Sequence, residues 1–196
     1  MKNIIAKSFT TILIAMVTFL DAQTINRYGT TTANFLEIGI GSRATSMGDA
    51  YVAVANDVSS IYWNPAGLSH VTNSSALFSI QPWLVDIDMM FAGGAFVVPT
   101  IGVIGLGITH LDYGEMDVTN LEYQDGTGER FGASDVAATF TFSRKIVSWF
   151  SFGSSMKYIS SKIWHSSASA FAVDLGVLVN TNFFSFSGKD KDGMNI

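Results

Sequence analysis

Cysteine is absent from the 196 residues, which excludes a disulfide framework and any thiolate metal site. Charge is scarce at 14% of residues, and the balance is acidic, with a formal net charge of −5. A nucleic-acid partner, which requires a basic face, is therefore not expected. Beyond the N-terminus no apolar block approaches the roughly 20 residues that a spanning helix needs. Yet hydrophobic residues make up 48% of the chain and its mean hydropathy is positive. A chain this apolar without a spanning helix must bury a large core or present apolar surface to lipid.

The N-terminus has the form of an export signal. Lys2 and Lys7 give a short basic start, Phe9 to Leu20 is an apolar run interrupted only by threonines, and Asp21-Ala22-Gln23 supplies a small residue for cleavage. Residues 1–22 read as a secretory signal peptide, with a retained N-terminal anchor as the alternative. Loss of Lys2, Lys7 and Asp21 with it takes the net charge from −5 to −6. Residues 23–73 form a separate N-terminal segment, and residues 74–196 carry the strands.

From residue 74 the chain alternates with period two, as strands do when their two faces meet different surroundings. In Asp135 to Phe142, Val136, Ala138, Phe140 and Phe142 share one face, and Asp135, Ala137, Thr139 and Thr141 the other. Phe150 to Ser161 sets Phe150, Phe152, Met156 and Tyr158 against Ser151, Gly153, Ser155 and Lys157. Phe171 to Asn180 sets Phe171, Val173, Leu175, Val177 and Val179 against Ala172, Asp174, Gly176 and Asn180. Ser74 to Trp83, Asp86 to Val98 and Ile101 to Asp112 complete the expected strands.

At about 10 residues or more, these strands exceed the five or six usual in soluble domains and match what crosses a bilayer when tilted. Tight turns are expected at Pro99-Thr100 and Arg144-Lys145, and a long polar loop from Tyr113 to Gly132. Short turns at one end and long loops at the other characterise outer-membrane barrels. Trp83, Trp149 and Trp164 fall near strand ends, where interfacial aromatic girdles sit. A secreted soluble sandwich is the competing fold, because its strands also alternate.

Between the leader and the strands, Gly41 and Gly48 permit turns that other residues resist. Asp57 can cap a short helix through Ser59 and Tyr62, and Pro65 suits the first turn of another. Ala44, Ala50, Ala53, Ala55 and Ala66 allow close packing in a confined space. The run Gly41-Ser42-Arg43-Ala44, Met47-Gly48, Ala50 to Asp57 and Ile61-Tyr62-Trp63-Asn64-Pro65-Ala66-Gly67-Leu68 resembles the start of PorV/PorQ-type outer-membrane proteins. These are distant relatives of the long-chain fatty-acid transporter (FadL-like) barrels, which carry a similar Asn-Pro-Ala plug. Trp83-Leu84-Val85-Asp86, Gly126-Thr127-Gly128-Glu129, Asp135 at a strand start and Asp174-Leu175-Gly176 fit the same family.

The resemblance implies an all-β fold, an antiparallel outer-membrane β-barrel with a small N-terminal helical plug. It implies about 14 strands in the whole barrel, whereas this chain supplies about six, so an N-terminal portion of the barrel is expected. The plug or gating residues implied are Gly41, Arg43, Met47, Gly48, Asp57, Tyr62, Asn64, Pro65, Ala66 and Gly67. The alternative for Asn64 to Gly67 is a simple join between plug and first strand.

Other motifs carry less. Gly39-Ile40-Gly41-Ser42-Arg43-Ala44 matches a loose dinucleotide fingerprint but lacks the surrounding βαβ unit. His70, His110 and His165 are scattered singly, so a metal site is not expected. Asp86 and Asp88 share a strand face, but acids are ordinary in polar barrel interiors. Neither a cofactor nor a catalytic role is expected.

The resemblance thus places the chain in the bacterial outer membrane, in contact with lipid, as a binding or shuttle component of type IX protein secretion. Its partners would be secreted cargo proteins and secretion-system components. The alternative is a FadL-like channel for hydrophobic small molecules, which should show an apolar pocket beside the plug.

Overall fold

In the computed structural model the described residues are 33–84, 87–181 and 194–195. The expected signal peptide, Asp86 and the fragment expected at Phe183 to Ser187 lie outside them. Six long strands follow one another as an antiparallel sheet in sequence order: β1 Ser75–Pro82, β2 Asp88–Val98, β3 Gly102–Asp117, β4 Arg130–Val147, β5 Phe150–Ile163 and β6 Ser166–Thr181. A two-residue strand, β7 Met194–Asn195, pairs with the end of β6. Among the described residues no helix is long and apolar enough to cross a membrane.

The period-two pattern becomes two faces because the register keeps it in phase. Ile108 pairs with Ala92 and Ala138, Ala138 with Tyr158, and Tyr158 with Phe171. One step along, Gly107 pairs with Gly93 and Thr139, and Thr139 with Lys157. Exposed large apolar side chains therefore collect on one face, while the other carries small and polar residues interspersed with buried ones such as Phe91, Leu111 and Ile159, and a one-residue slip would exchange them.

The apolar face is open. Phe171 is 77% exposed, Leu175 72% and Phe78 66%. On β6 this stripe runs from Phe171 to Val179, about 26 Å along the strand.

The other face is covered by the N-terminal segment. It holds a 3-10 turn Asn34–Glu37, helix α1 Ser42–Ser46, helix α2 Ser60–Trp63 and a 3-10 helix Pro65–His70. Ile61 and Leu68 from the segment join Phe91, Val103, Leu111 and Ile159 from the sheet in one buried core.

β3 to β6 run longer than the alternation indicated, with β3 at 16 residues and β4 at 18, whereas β1 and β2 are shorter than expected, at 8 and 11 residues. Arg144-Lys145 is not a turn: β4 continues to Val147 and the chain reverses at Ser148 and Trp149. Nor does Asp135 open a strand, since β4 begins at Arg130. The β3–β4 ladder continues to Asp117 and Arg130, where Arg130 bonds to Asp117 at 3.0 Å and to Glu115 at 3.3 Å. The connecting loop thus shortens to 118–129. Pro99 and Thr100 do form a turn, with Thr100 at a φ of 72°.

Candidate functional site

The site is the seat of Asn64-Pro65-Ala66-Gly67 on the covered face of the sheet. Asn64 leaves α2 in extended conformation, and Pro65 occupies the first position of the 3-10 helix that follows. There its missing N–H costs nothing and its fixed φ suits the turn. Asn64 Oδ1 caps that helix by accepting from Ala66 N at 3.0 Å. Its Nδ2 donates to the carbonyls of Val52 at 3.1 Å and Val177 at 3.2 Å. A buried amide is thereby satisfied on both donors and its acceptor.

Beneath it the sheet has no side chains in the way. Gly153 and Gly176 are direct cross-strand partners. A Cβ at Gly153 would overlap the backbone of Pro65 and Ala66, and one at Gly176 would overlap Asn64 Oδ1 and the Pro65 ring. Gly105 and Gly107 make room in the same way for Ile61 and Leu68. Ser143 Oγ donates to the Ala66 carbonyl at 3.1 Å, as does Ser69 Oγ at 2.8 Å. Gly67 closes the turn, its Cα against the Ala55 carbonyl.

A second cluster is organised by Asp57. Its carboxylate accepts from Ser59 N and Ser59 Oγ, from Tyr51 OH at 3.0 Å and from Arg43 Nη1 at 3.1 Å. Asp57 thus fixes the turn leading into α2, which spans Ser60–Trp63 with Ser59 at its N-cap position, by accepting from Ser59 N at 2.9 Å. Arg43 also reaches Asn56 Oδ1 at 3.1 Å. Burial and the neighbouring Asp57 carboxylate raise the Tyr51 phenol above its ordinary range. Ala44, Tyr51 and Ala55 are buried together under Val54 and Trp63. Ala50, expected in a packed position, is exposed at the turn.

Tyr62 lies beside the seat, against Trp63. Its hydroxyl donates to the carbonyls of Leu36 at 2.7 Å and Ile38 at 2.8 Å, and burial raises its pKa strongly. Lys157 Nζ lies 5.9 Å from the Tyr62 ring centre and pairs with Asp174 at 2.7 Å. Lys157, Asp174, Tyr62 and Asn64 line a cavity of about 380 Å³ beside the segment. The Lys157 side chain is only 12% exposed.

Of the ten residues named from the sequence, Asn64, Pro65, Ala66 and Gly67 form the seat, with Tyr62 beside it. Arg43 and Asp57 form the second cluster. Gly41 and Gly48 hold backbone turns, at φ of 85° and 61°, and Met47 is exposed and joins neither. The sequence reading passed over Gly153, Gly176, Ser143 and Asp174 as parts of the site. Gly153 and Gly176 had a signal in their phase, which puts them on the same side of their strands as Ser151, Ser155 and Asp174.

No family model matches the chain, and no curated protein matches it.

Proposed function

We propose that this chain is an outer-membrane β-barrel protein of PorV/PorQ type, in which the segment ending at Gly67 is a plug fixed to the barrel wall. In this reading it is a binding or shuttle component linked to type IX protein secretion. One observation carries the membrane part: a sheet whose uncovered face is apolar from β1 to β6, while its other face mixes small and polar residues with the apolar core packed under the N-terminal segment. The stripe on β6, tilted by about 40°, gives a depth of about 20 Å, close to the lipid-facing band of such barrels. The assignment to secretion rests on the resemblance of residues 41–68.

The loop 118–129 supports cargo docking rather than conduction. Asn120 Oδ1 accepts from Glu122 N and Tyr123 N at 2.9 and 2.7 Å, and Thr127 N donates to the Val118 carbonyl at 2.8 Å. This fold presents Leu121 almost fully exposed at its tip. A hydrophobic-ligand channel would call for an apolar pocket beside the plug; one cavity there contains Lys157 and Asp174, and a second of about 440 Å³ mixes Val58, Val71 and Leu77 with Asp57, His70 and Asn73.

The test is expression with the leader intact, followed by membrane fractionation and by crosslinking from position 121. A heat-modifiable outer-membrane species that crosslinks to exported proteins agrees with the proposal. A species that stays in the periplasm rejects the barrel, and uptake of fatty acid without cargo crosslinks favours the channel.

A further inference from the structure

The apolar face is not a uniform surface. A trough of about 820 Å³ crosses it, floored by Ala92, Gly94 and Ala138 and walled by Phe78, Tyr158 and Phe171. Register produces it: Ala92 lies between Phe78 and Ile108, and Ala138 between Ile108 and Tyr158. Small side chains on β2 and β4 thus alternate with larger ones on their neighbours. The volume lies in the range of small-molecule sites.

Toward the long-loop end of the same strands is a second hollow of about 360 Å³, lined by His110, Ser134, Lys162 and Trp164. Ser134 pairs with Lys162 and stands four residues from Ala138 on β4, so the hollows are about 13 Å apart along the strand. Lys162 makes no ion pair among the described residues. The acid in this hollow, Asp112, accepts from Gly114 N at 3.0 Å. It is two strands from Lys162 in the register, their backbones on the order of 10 Å apart. An apolar trough at mid-depth therefore ends near an unpaired cation beside an indole, at the level of a membrane interface.

We propose that this face carries a site for one phosphate-headed anionic lipid, its acyl chain in the trough and its phosphate on Lys162. The site rests on the reading of this face as lipid-facing. Trp164 marks the interface end and Ala138 sets the depth of the trough.

The test uses the full chain in phosphatidylcholine nanodiscs containing a minor fraction of phosphatidylglycerol, with retained lipid read by native mass spectrometry. Wild type is expected to retain phosphatidylglycerol about tenfold over phosphatidylcholine. Lys162→Gln should bring that ratio near one and Lys162→Arg should restore it, while Ala138→Phe should lower retention of both lipids about tenfold. Equal retention of the two lipids by wild type, an unchanged ratio in Lys162→Gln, or a lipid-free dimer occluding the face overturns the site and leaves the membrane reading intact. A chain that is not incorporated into nanodiscs overturns both. Should Ala138→Phe fail to incorporate, the two Lys162 variants decide the matter.

Discussion

The Asn64 side chain donates to the Val177 carbonyl at 3.2 Å, joining residues 113 positions apart. It ties the N-terminal segment to the last long strand, so that the seat and the order of the sheet depend on each other. Asn64→Ala removes two donors and a cap from a buried position. The expected cost is about 2–3 kcal/mol, read as a lower denaturant midpoint and faster proteolysis within residues 41–57. Asn64→Asp keeps the cap acceptor but turns a charge toward two carbonyls, and should be no better than Ala.

The seat predicts a contrast among glycines. Gly153→Ala and Gly176→Ala each force a methyl into the Asn64–Ala66 backbone or side chain, at about 1–3 kcal/mol. Gly132→Ala is the control, because its Cβ would meet only the Gly114 carbonyl at an ordinary 3.7 Å. A near-neutral effect there, within about 0.5 kcal/mol, is expected. Equal effects at all three positions would detach the cost from the seat.

Arg43 and Asp57 differ in what they leave behind. Their ion pair is exposed at 59% and 39% of the side chains, so Arg43→Ala should cost less than about 1 kcal/mol. Asp57→Ala also strands Ser59 N and Tyr51 OH and should cost more, about 1–2 kcal/mol. Chemical denaturation of the two variants side by side measures the difference.

His70, at the end of the 3-10 helix, has its pKa lowered first by burial and then by the Lys145 charge. The folded state thus binds a proton less readily than the unfolded chain, whose imidazole titrates near 6.5. The associated stability is present above that pH and is lost as pH falls through the folded pKa. Stability of the docked segment should decline on acidification below about pH 6.5, and His70→Gln should flatten that slope in denaturation curves taken across the range.

The long strands and their two faces were legible in the sequence, because period-two alternation is local, and Pro65 was legible as a first-turn residue, whereas Asn64, Ala66 and Gly67 were named through the resemblance. Strand ends were less legible. Arg144-Lys145 reads as a turn, yet β4 carries both because the ladder to Phe152 and Ser151 is worth continuing. The loop contracts because the β3–β4 ladder resumes past an irregularity between Asp112 and Glu115 and runs on to Asp117 and Arg130, which no local pattern announces. Gly153 and Gly176 read as ordinary polar-face residues until the register set them side by side. Met47 matched a motif, but no contact gives it a role.

The central claim, that alternate residues of each strand face lipid and the plug, is tested most directly by cysteine scanning, since the chain has no cysteine of its own. Single cysteines at Phe140, Thr141, Met156, Ser155, Val173 and Ala172 would each carry an environment-sensitive fluorophore in liposomes with an acyl-chain quencher. Strong quenching at Phe140, Met156 and Val173 with little at Thr141, Ser155 and Ala172 is the predicted result. Uniform quenching, or none with full labelling by a water-soluble reagent, would contradict it.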